Sequence, residues 1–341
     1  MTYQHIKPIG GEAEYAQPNF EAITQTGRSS LRLIIESAKL QAKHVALPDY
    51  LCEVIIDIFK EYQSKIHFYP VNQDLSLDYS ALPKHFDVLY IINYFGMDLG
   101  KKLTLPLSAG HTLIIDDVFY PMPRMIEIDT ACYAFNSLRK ISKLADGSLI
   151  RANRPLLLEL ITGATNSPFS TLKYSAKALK HRFIYQHIEP QIPLSEQRYL
   201  TKFEQAERLL DSQKNIVAVS MQSQIMAMEF YRQLQDETQT RRENYLCLKQ
   251  LLANNLLQID TDFYSFSVLK HARKSELKKY LASQSIYLPT HWPVSESNYL
   301  KSINNISINW LSIPLDARYT IQDMERLAKA IQDFDQHSTS F

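Results

Sequence analysis

The stretch HTLIIDDVFY, residues 111–120, is a near-continuous apolar run that closes on two carboxylates, Asp116 and Asp117. An apolar run of this length suits a strand covered on both faces, as in a parallel sheet. The segment DVLYIINYFG (87–96) has the same character. HVALP (44–48), KIHFYP (65–70) and EIDTACYAFNS (127–137) read as further strands. Between them, SSLRLIIESAKLQA (29–42) and LCEVIIDIFKEYQ (51–63) carry apolar residues at helical spacing, the first behind a serine cap. Strands alternating with helices predict an α/β fold with a mostly parallel central sheet.

The second half is organised differently. Helices are expected over 170–188, over 193–213 with a capping signature, and along a long stretch from about 220 to 253. A strand near 263–270, a helix near 273–284, a strand near 307–314 and a last helix from 320 to about 334 follow. This pattern places a domain change near residue 190. A large α/β domain over 1–190, opened by an N-terminal segment 1–25, precedes a smaller α+β domain over 191–341.

The totals exclude several classes. A chain of 341 residues suffices for two domains. A net charge of +1 gives no overall field toward nucleic acid or an anionic membrane, so neither is an expected partner. Cys52, Cys132 and Cys247 are too widely spaced for a metal knuckle or a disulfide framework, and no metal site is expected. No run is long and apolar enough for a membrane span, and the first residues lack the apolar core of a signal peptide. A cytoplasmic, soluble protein is expected. Only 8 glycines stand against 20 tyrosines, which leaves few glycine-cradled loops.

AFNSLRKISKLADGSLI (134–150) puts Lys140 just past a strand that reads as buried. A lysine there is costly unless its nitrogen is used. Ligands of open parallel sheets sit beyond the carboxyl ends of the strands. There the sequence also supplies the Asp116–Asp117 pair and a helix start, TGRSS (26–30). Pyridoxal phosphate needs such a set: a lysine to hold it, a carboxylate for its ring nitrogen, and N–H groups at a helix start for its phosphate. Taken singly, the same residues also read as a surface lysine, a strand-end turn and a helix cap.

TGRSSLRLII, LIIDDVFY and AFNSLRKISKLADGSLI resemble three motifs of the DegT/DnrJ-like sugar aminotransferases, pyridoxal-phosphate enzymes of fold type I. The opening IGGEAEY is similar to a subgroup that carries a Ser-Leu-Arg-Lys motif. RRENYLCLKQLL, IYLPTHWP and LSIPLDARYTIQDMERLAKAI resemble the family's small domain in the expected order. The resemblance implies that Lys140 holds the cofactor and moves protons, with Asp146-Gly147 as the acidic-Gly pair that follows it. It implies that Asp117 meets the ring nitrogen, and that Gly27, Arg28 and Ser29 bind the phosphate, with Ser137 a second phosphate group. Asn93 falls near the ring hydroxyl. The ring-stacking place falls on Tyr50 or Cys52. Tyr120 stands where the family often has Gln, and Ser148 where it has a second glycine. His291 and Trp292 could bound the substrate pocket. Lys173, Lys177 and Lys180, and likewise Arg241 and Arg242, are expected to face water.

The reaction so implied moves an amino group, commonly from glutamate, to a nucleotide-linked keto sugar, in polysaccharide or antibiotic-sugar synthesis, by a homodimer. Two alternatives remain open: a lyase or dehydratase of the same fold, and a catalytically degenerate relative that binds a sugar nucleotide. The second draws on the low glycine count and on a missing Asn-containing loop near AVSMQSQ.

Overall fold

The computed structural model describes residues 20–98, 107–163, 167–185, 195–296 and 299–337. The IGGEAEY opening and the expected domain change near 190 lie outside the described residues.

The large sheet has seven strands in the order β1-β7-β6-β5-β4-β2-β3. β2 (His44–Pro48), β3 (Lys65–Tyr69), β4 (Val88–Ile92), β5 (Thr112–Asp116) and β6 (Ala131–Phe135) run parallel. β7 (Ser148–Ala152) is antiparallel to β6, and β1 (Glu21–Thr24) is antiparallel to β7. All five residues of β4 and of β5 are buried, which is why these strands read as continuous apolar runs. Their side chains alternate between two cores. Tyr90, Ile92, Ile114, Tyr133 and Phe135 join one with Leu31, Ile34 and Phe59 of the helices; Leu89, Ile91, Leu113, Ile115 and Cys132 form the other.

The helices that cover the sheet follow from its sequence. In α1 (Gly27–Ser37) the Thr26 hydroxyl accepts from the Ser29 N–H, and Leu31, Leu33, Ile34 and Ile35 are buried. α2 (Glu53–Glu61) buries Ile55, Ile56, Ile58 and Phe59, each worth roughly 1.5–3 kcal/mol relative to exposure. A single turn, α3 (Leu138–Ile141), joins β6 to β7.

α4 (Pro168–Tyr185) and α5 (Glu196–Ser212) pack on one another around Phe169, Ala206 and Leu210. The expected helix over 220–253 is two, α6 (Met221–Arg232) and α7 (Leu234–Leu252), parted at Gln233. A separate core gathers Tyr245, Leu248, Leu277, Leu311, Leu327 and Ile331. It joins α7, α8 (Lys274–Ser283), α10 (Ile321–His337) and a two-stranded antiparallel sheet, β8 (Phe266–Lys270) with β9 (Trp310–Pro314). α9 (Lys301–Ser307) occupies part of the segment expected to begin the last strand. Among the described residues, no helix is long and apolar enough to cross a membrane.

Two expectations of solvent exposure are overturned in part: Lys180 and Arg242 are exposed, but their neighbours are not. Lys173 is buried and pairs with Glu207 across the α4–α5 contact. Lys177 donates to the carbonyls of Lys143 and Leu144, and burial pushes its amine down to about 7. Arg241 is 1% exposed and tied to Glu237. Both errors have one cause: a helix whose charged face meets another element looks the same in sequence as one that meets water.

Candidate active site

β4, β5 and β6 end side by side, so their following loops share one edge of the sheet. The backbone pairing continues past the strand ends: Asn93 N–H donates to Asp116 O, and Asp117 N–H donates to Phe135 O. That continuation fixes Asn93, Asp116 and Asp117 next to the turn that bears Lys140.

The lysine turn is held at each step. Leu138 N–H donates to Gly147 O, the Ser142 hydroxyl donates to Leu138 O, and Lys140 N–H donates to Ser137 O. Gly147 lies at φ +116, a conformation that disfavours any residue with a Cβ. Its N–H donates to Gln25 O, joining the lysine turn to the start of α1. Asp146 is fully buried and accepts from the hydroxyl of Ser170 and from the N–H and hydroxyl of Ser220, which ties the same loop to α4 and α6.

Lys140 is half-buried as a residue, with its amine shielded from water. Burial, and next the charge of Arg139, push that amine down to about 8. Cys52 and Glu207 act in the opposite sense, and Arg28 reinforces Arg139. The same lysine charge reaches Asp116 and His291. Burial pushes His291 down to about 3, so its imidazole is neutral.

The two carboxylates have different surroundings. Asp116 accepts from the Tyr90 hydroxyl at 2.6 Å and from Val118 N–H, and burial pushes it up to about 7. Asp117 is fully buried and held by Arg124 through Nε at 2.8 Å, Nη2 at 2.6 Å and the Arg124 backbone N–H at 3.0 Å. Asn93 also bonds to it. Burial raises its carboxyl, and the Arg124 contacts work against that rise. The Arg124 guanidinium lies 3.7 Å over the Tyr120 ring and donates to the carbonyls of Gly96 and Met97.

At the anion end, α1 opens with the N–H groups of Gly27 and Arg28, which precede the helix ladder. Arg28 pairs with Asp211 at 2.7 Å, and Arg139 lies 3.6 Å from Glu207 with its Nε buried and without a partner among the described residues. Ser137 is the buried N-cap of α3, and its hydroxyl makes no capping bond. The Ser29 hydroxyl instead accepts from Val217 N–H.

Of the two residues at the ring-stacking place, Tyr50 is fully buried, with Tyr94 and Trp292 each 5.2 Å from its ring. Its hydroxyl donates to His291 O. Cys52 is half-buried and lies in electrostatic reach of Lys140. His291 packs on Phe119 and Phe266, at 5.2 and 4.8 Å, and its Nδ1 lies 3.0 Å from the Ser312 hydroxyl.

The donor set fits pyridoxal phosphate at two ends: a lysine with a lowered pKa, and an anion cradle with an orphaned buried Arg139 Nε. At the ring-nitrogen end the fit is through Asp117, a carboxylate already shared with Arg124. Sequence reasoning missed Arg124 and the clamp residue Asn136, whose amide donates to the carbonyls of Tyr120 and Pro121 and accepts from Leu149 N–H. A lone arginine just after two prolines, seven residues past the carboxylate, is the only signal for the first.

No protein-family model and no curated protein sequence matches this chain. Its fold is similar to that of DesV from S. venezuelae, solved in complex with a ketimine intermediate, at 13% identity and a TM-score of 0.61, covering 92% of this chain and 84% of that one. A DegT DnrJ EryC1 StrS aminotransferase from Brucella abortus matches at 12% identity and 0.58, over 92% and 85% of the two chains. Spr1654 from Streptococcus pneumoniae, described as a sugar aminotransferase and solved in its PLP form, matches at 10% identity and 0.60, over 93% and 87%. At these identities the likeness is one of fold. The architecture is that of the fold type I pyridoxal-phosphate enzymes.

Proposed function

We propose that this protein is a pyridoxal-phosphate-dependent aminotransferase that moves an amino group from glutamate to a nucleotide-linked keto sugar. One observation carries the reading. In a fold type I framework, the amine of Lys140 has its pKa pushed down to about 8, between an anion cradle and the carboxylates Asp116 and Asp117 at the end of β5. Pyridoxal phosphate supplies a carbonyl that condenses with amines and a ring that withdraws electrons from the carbon beside them.

The chain's own residues supply the rest. Lys140 would hold the cofactor and, once displaced by the donor, carry a proton between the donor's α-carbon and the cofactor, as base and then as acid. An amine with a pKa near 8 can do both at neutral pH. Asp117, kept ionised by Arg124, would hold the proton on the ring nitrogen. Gly27, Arg28, Ser137 and Arg139 would bind the phosphate, and Asn93 would stand by the ring hydroxyl. His291 and Trp292 would bound the substrate side, where a neutral imidazole adds no charge.

A homodimer suits this reading. α6 presents Met221, Ile225 and Met228, 49, 58 and 57% exposed, as a stripe at helical spacing that a second copy would cover. Light scattering in solution tests it; a monomer at micromolar concentration refutes it.

The deciding experiment is the visible spectrum of the protein with pyridoxal phosphate, before and after glutamate, for wild type and Lys140→Ala. A band present in wild type, bleached by glutamate and altered in the variant, supports transamination. A band indifferent to glutamate points to a lyase or another donor. The Arg124 grip on Asp117 favours one second reading, a non-catalytic relative that binds a sugar nucleotide. Absence of any band in wild type would overturn the first reading and leave that one standing.

A further inference from the structure

The helix expected to face water with Arg241 instead sends that side chain into the protein, toward the lysine turn. Its Nη2 donates to Ile141 O at 2.6 Å. Ile141 is the last residue of α3 and the neighbour of Lys140, and its carbonyl lies beyond the helix ladder. The same Nη2 lies 2.6 Å from Glu237 Oε1 one turn earlier on α7. Nη1 donates to Ser265 O at 3.2 Å, and the guanidinium lies 4.6 Å over the Phe263 ring. The segment 261–265 also reaches the other arm of the site. The Thr261 hydroxyl donates to Gly96 O, which Arg124 shares, and Asp262 accepts from the Tyr120 hydroxyl at 2.8 Å.

A buried arginine is expensive, and its Nε has no partner among the described residues. A methionine would fill the space without that cost. What the arginine adds is a planar fork that fixes one carbonyl of the lysine turn against two fixed points of the α7–β8 unit.

We infer that Arg241 is a positioning residue for Lys140, setting the turn of α3 and with it the shielding of the amine from water. The inference rests on Lys140 as the reactive amine of the proposed function. The groups that act on Lys140 are Arg139 on its own turn, Arg28 of α1, Cys52 before α2, Asp116 of β5, Glu207 of α5 and His291. None of them belongs to α7, so Arg241 acts through the backbone.

The test is the pH dependence of Lys140 acetylation by acetic anhydride in the full chain freed of cofactor. Peptide mass spectrometry reads it, with exposed Lys60 as internal reference. In wild type the midpoint should fall near pH 8. In Arg241→Met it should rise by at least about one pH unit toward an ordinary lysine. Arg241→Lys keeps the charge but gives up the fork, so it should shift part of the way, which separates positioning from charge. Arg242→Met, on the exposed side, should leave the midpoint in place. An unchanged midpoint in both Arg241 variants would overturn the inference even if both melt earlier. Should Arg241→Met fail to fold, Arg241→Lys alone decides. The spectrum with pyridoxal phosphate is a separate measurement, so failure of the proposed function and failure of this inference are distinguishable.

Discussion

Arg124 holds Asp117 by the Nε and Nη2 of its guanidinium and by its own backbone N–H, in a fully buried setting for the carboxylate. The pair ties the loop after β5 to the carbonyls of Gly96 and Met97 after β4. Arg124→Met would leave a buried carboxylate without its counterion. Such a loss costs about 3–5 kcal/mol. The Asp117 carboxyl, already raised by burial, would rise further and take up a proton. Urea unfolding at neutral pH should show the loss, and Arg124→Met combined with Asp117→Asn should recover most of it. A double variant as unstable as Arg124→Met alone would show that Asp117 is not the group left exposed.

Asp116 makes a pH-dependent contribution of opposite sense to a paired carboxylate. Its folded pKa is pushed up to about 7 by burial, above the value of 3.8 for a free aspartate. The folded chain therefore holds a proton that the unfolded chain releases between those values. Stability falls as pH rises through that window. Asp116→Asn keeps an acceptor for the Tyr90 hydroxyl and removes the titration. It should stabilise the protein at pH 8 by on the order of 1–3 kcal/mol and change little at pH 4. Melting curves at the two pH values check it, and equal effects at both would refute the assignment.

Much of the fold, and the gathering of Asp116, Asp117 and Lys140 at one sheet edge, was legible in the sequence, for a physical reason. β2, β4, β5 and β6 are buried on both faces, so their sequences carry no alternation to confuse with a helix. Their order in the chain brings Asp116, Asp117 and Lys140 to one edge. β1 and β7 were not legible as strands: EAIT and SLIRA are short and mixed, and their ladders run only with each other and with β6, apart from a single bridge from Thr24 to Ala218. The break at Gln233 carries no glycine or proline. Arg124, Asn136 and Arg241 act on backbone carbonyls brought close by the fold, and such partners leave no periodic trace.

Gly147 links the lysine turn to α1, and its φ of +116 is reserved for glycine. A Cβ there would also stand 3.4 Å from Leu138 Cδ1, an ordinary contact, so the cost is backbone strain rather than crowding. Gly147→Ala should cost about 1–3 kcal/mol in urea unfolding. It should also raise the Lys140 acetylation midpoint, because the Leu138 and Gln25 bonds that hold the turn depend on the Gly147 peptide. A stability loss with an unmoved midpoint would mean that the turn keeps its shape without Gly147.

Lys140 itself should trade stability for function. Its folded pKa of about 8 lies below the 10.5 of a free lysine, so the fold disfavours the charged amine. That penalty is full below about pH 8 and fades as pH rises toward 10.5, so wild-type stability climbs across that window. Lys140→Met removes the amine and keeps the bulk. It should stabilise the protein at pH 7 by roughly 1–2 kcal/mol, allowing for the part of the side chain that water reaches, and the gain should shrink by pH 10. Under the proposed function, the same variant should lose turnover by at least about a thousandfold, since Lys140 is the residue proposed both to hold the cofactor and to relay the proton. Paired unfolding curves at pH 7 and pH 10, with glutamate turnover on the same preparations, decide it. A Lys140→Met protein that is less stable than wild type at pH 7 would show that the lysine is held by interactions stronger than its burial penalty. It would then be a structural residue first.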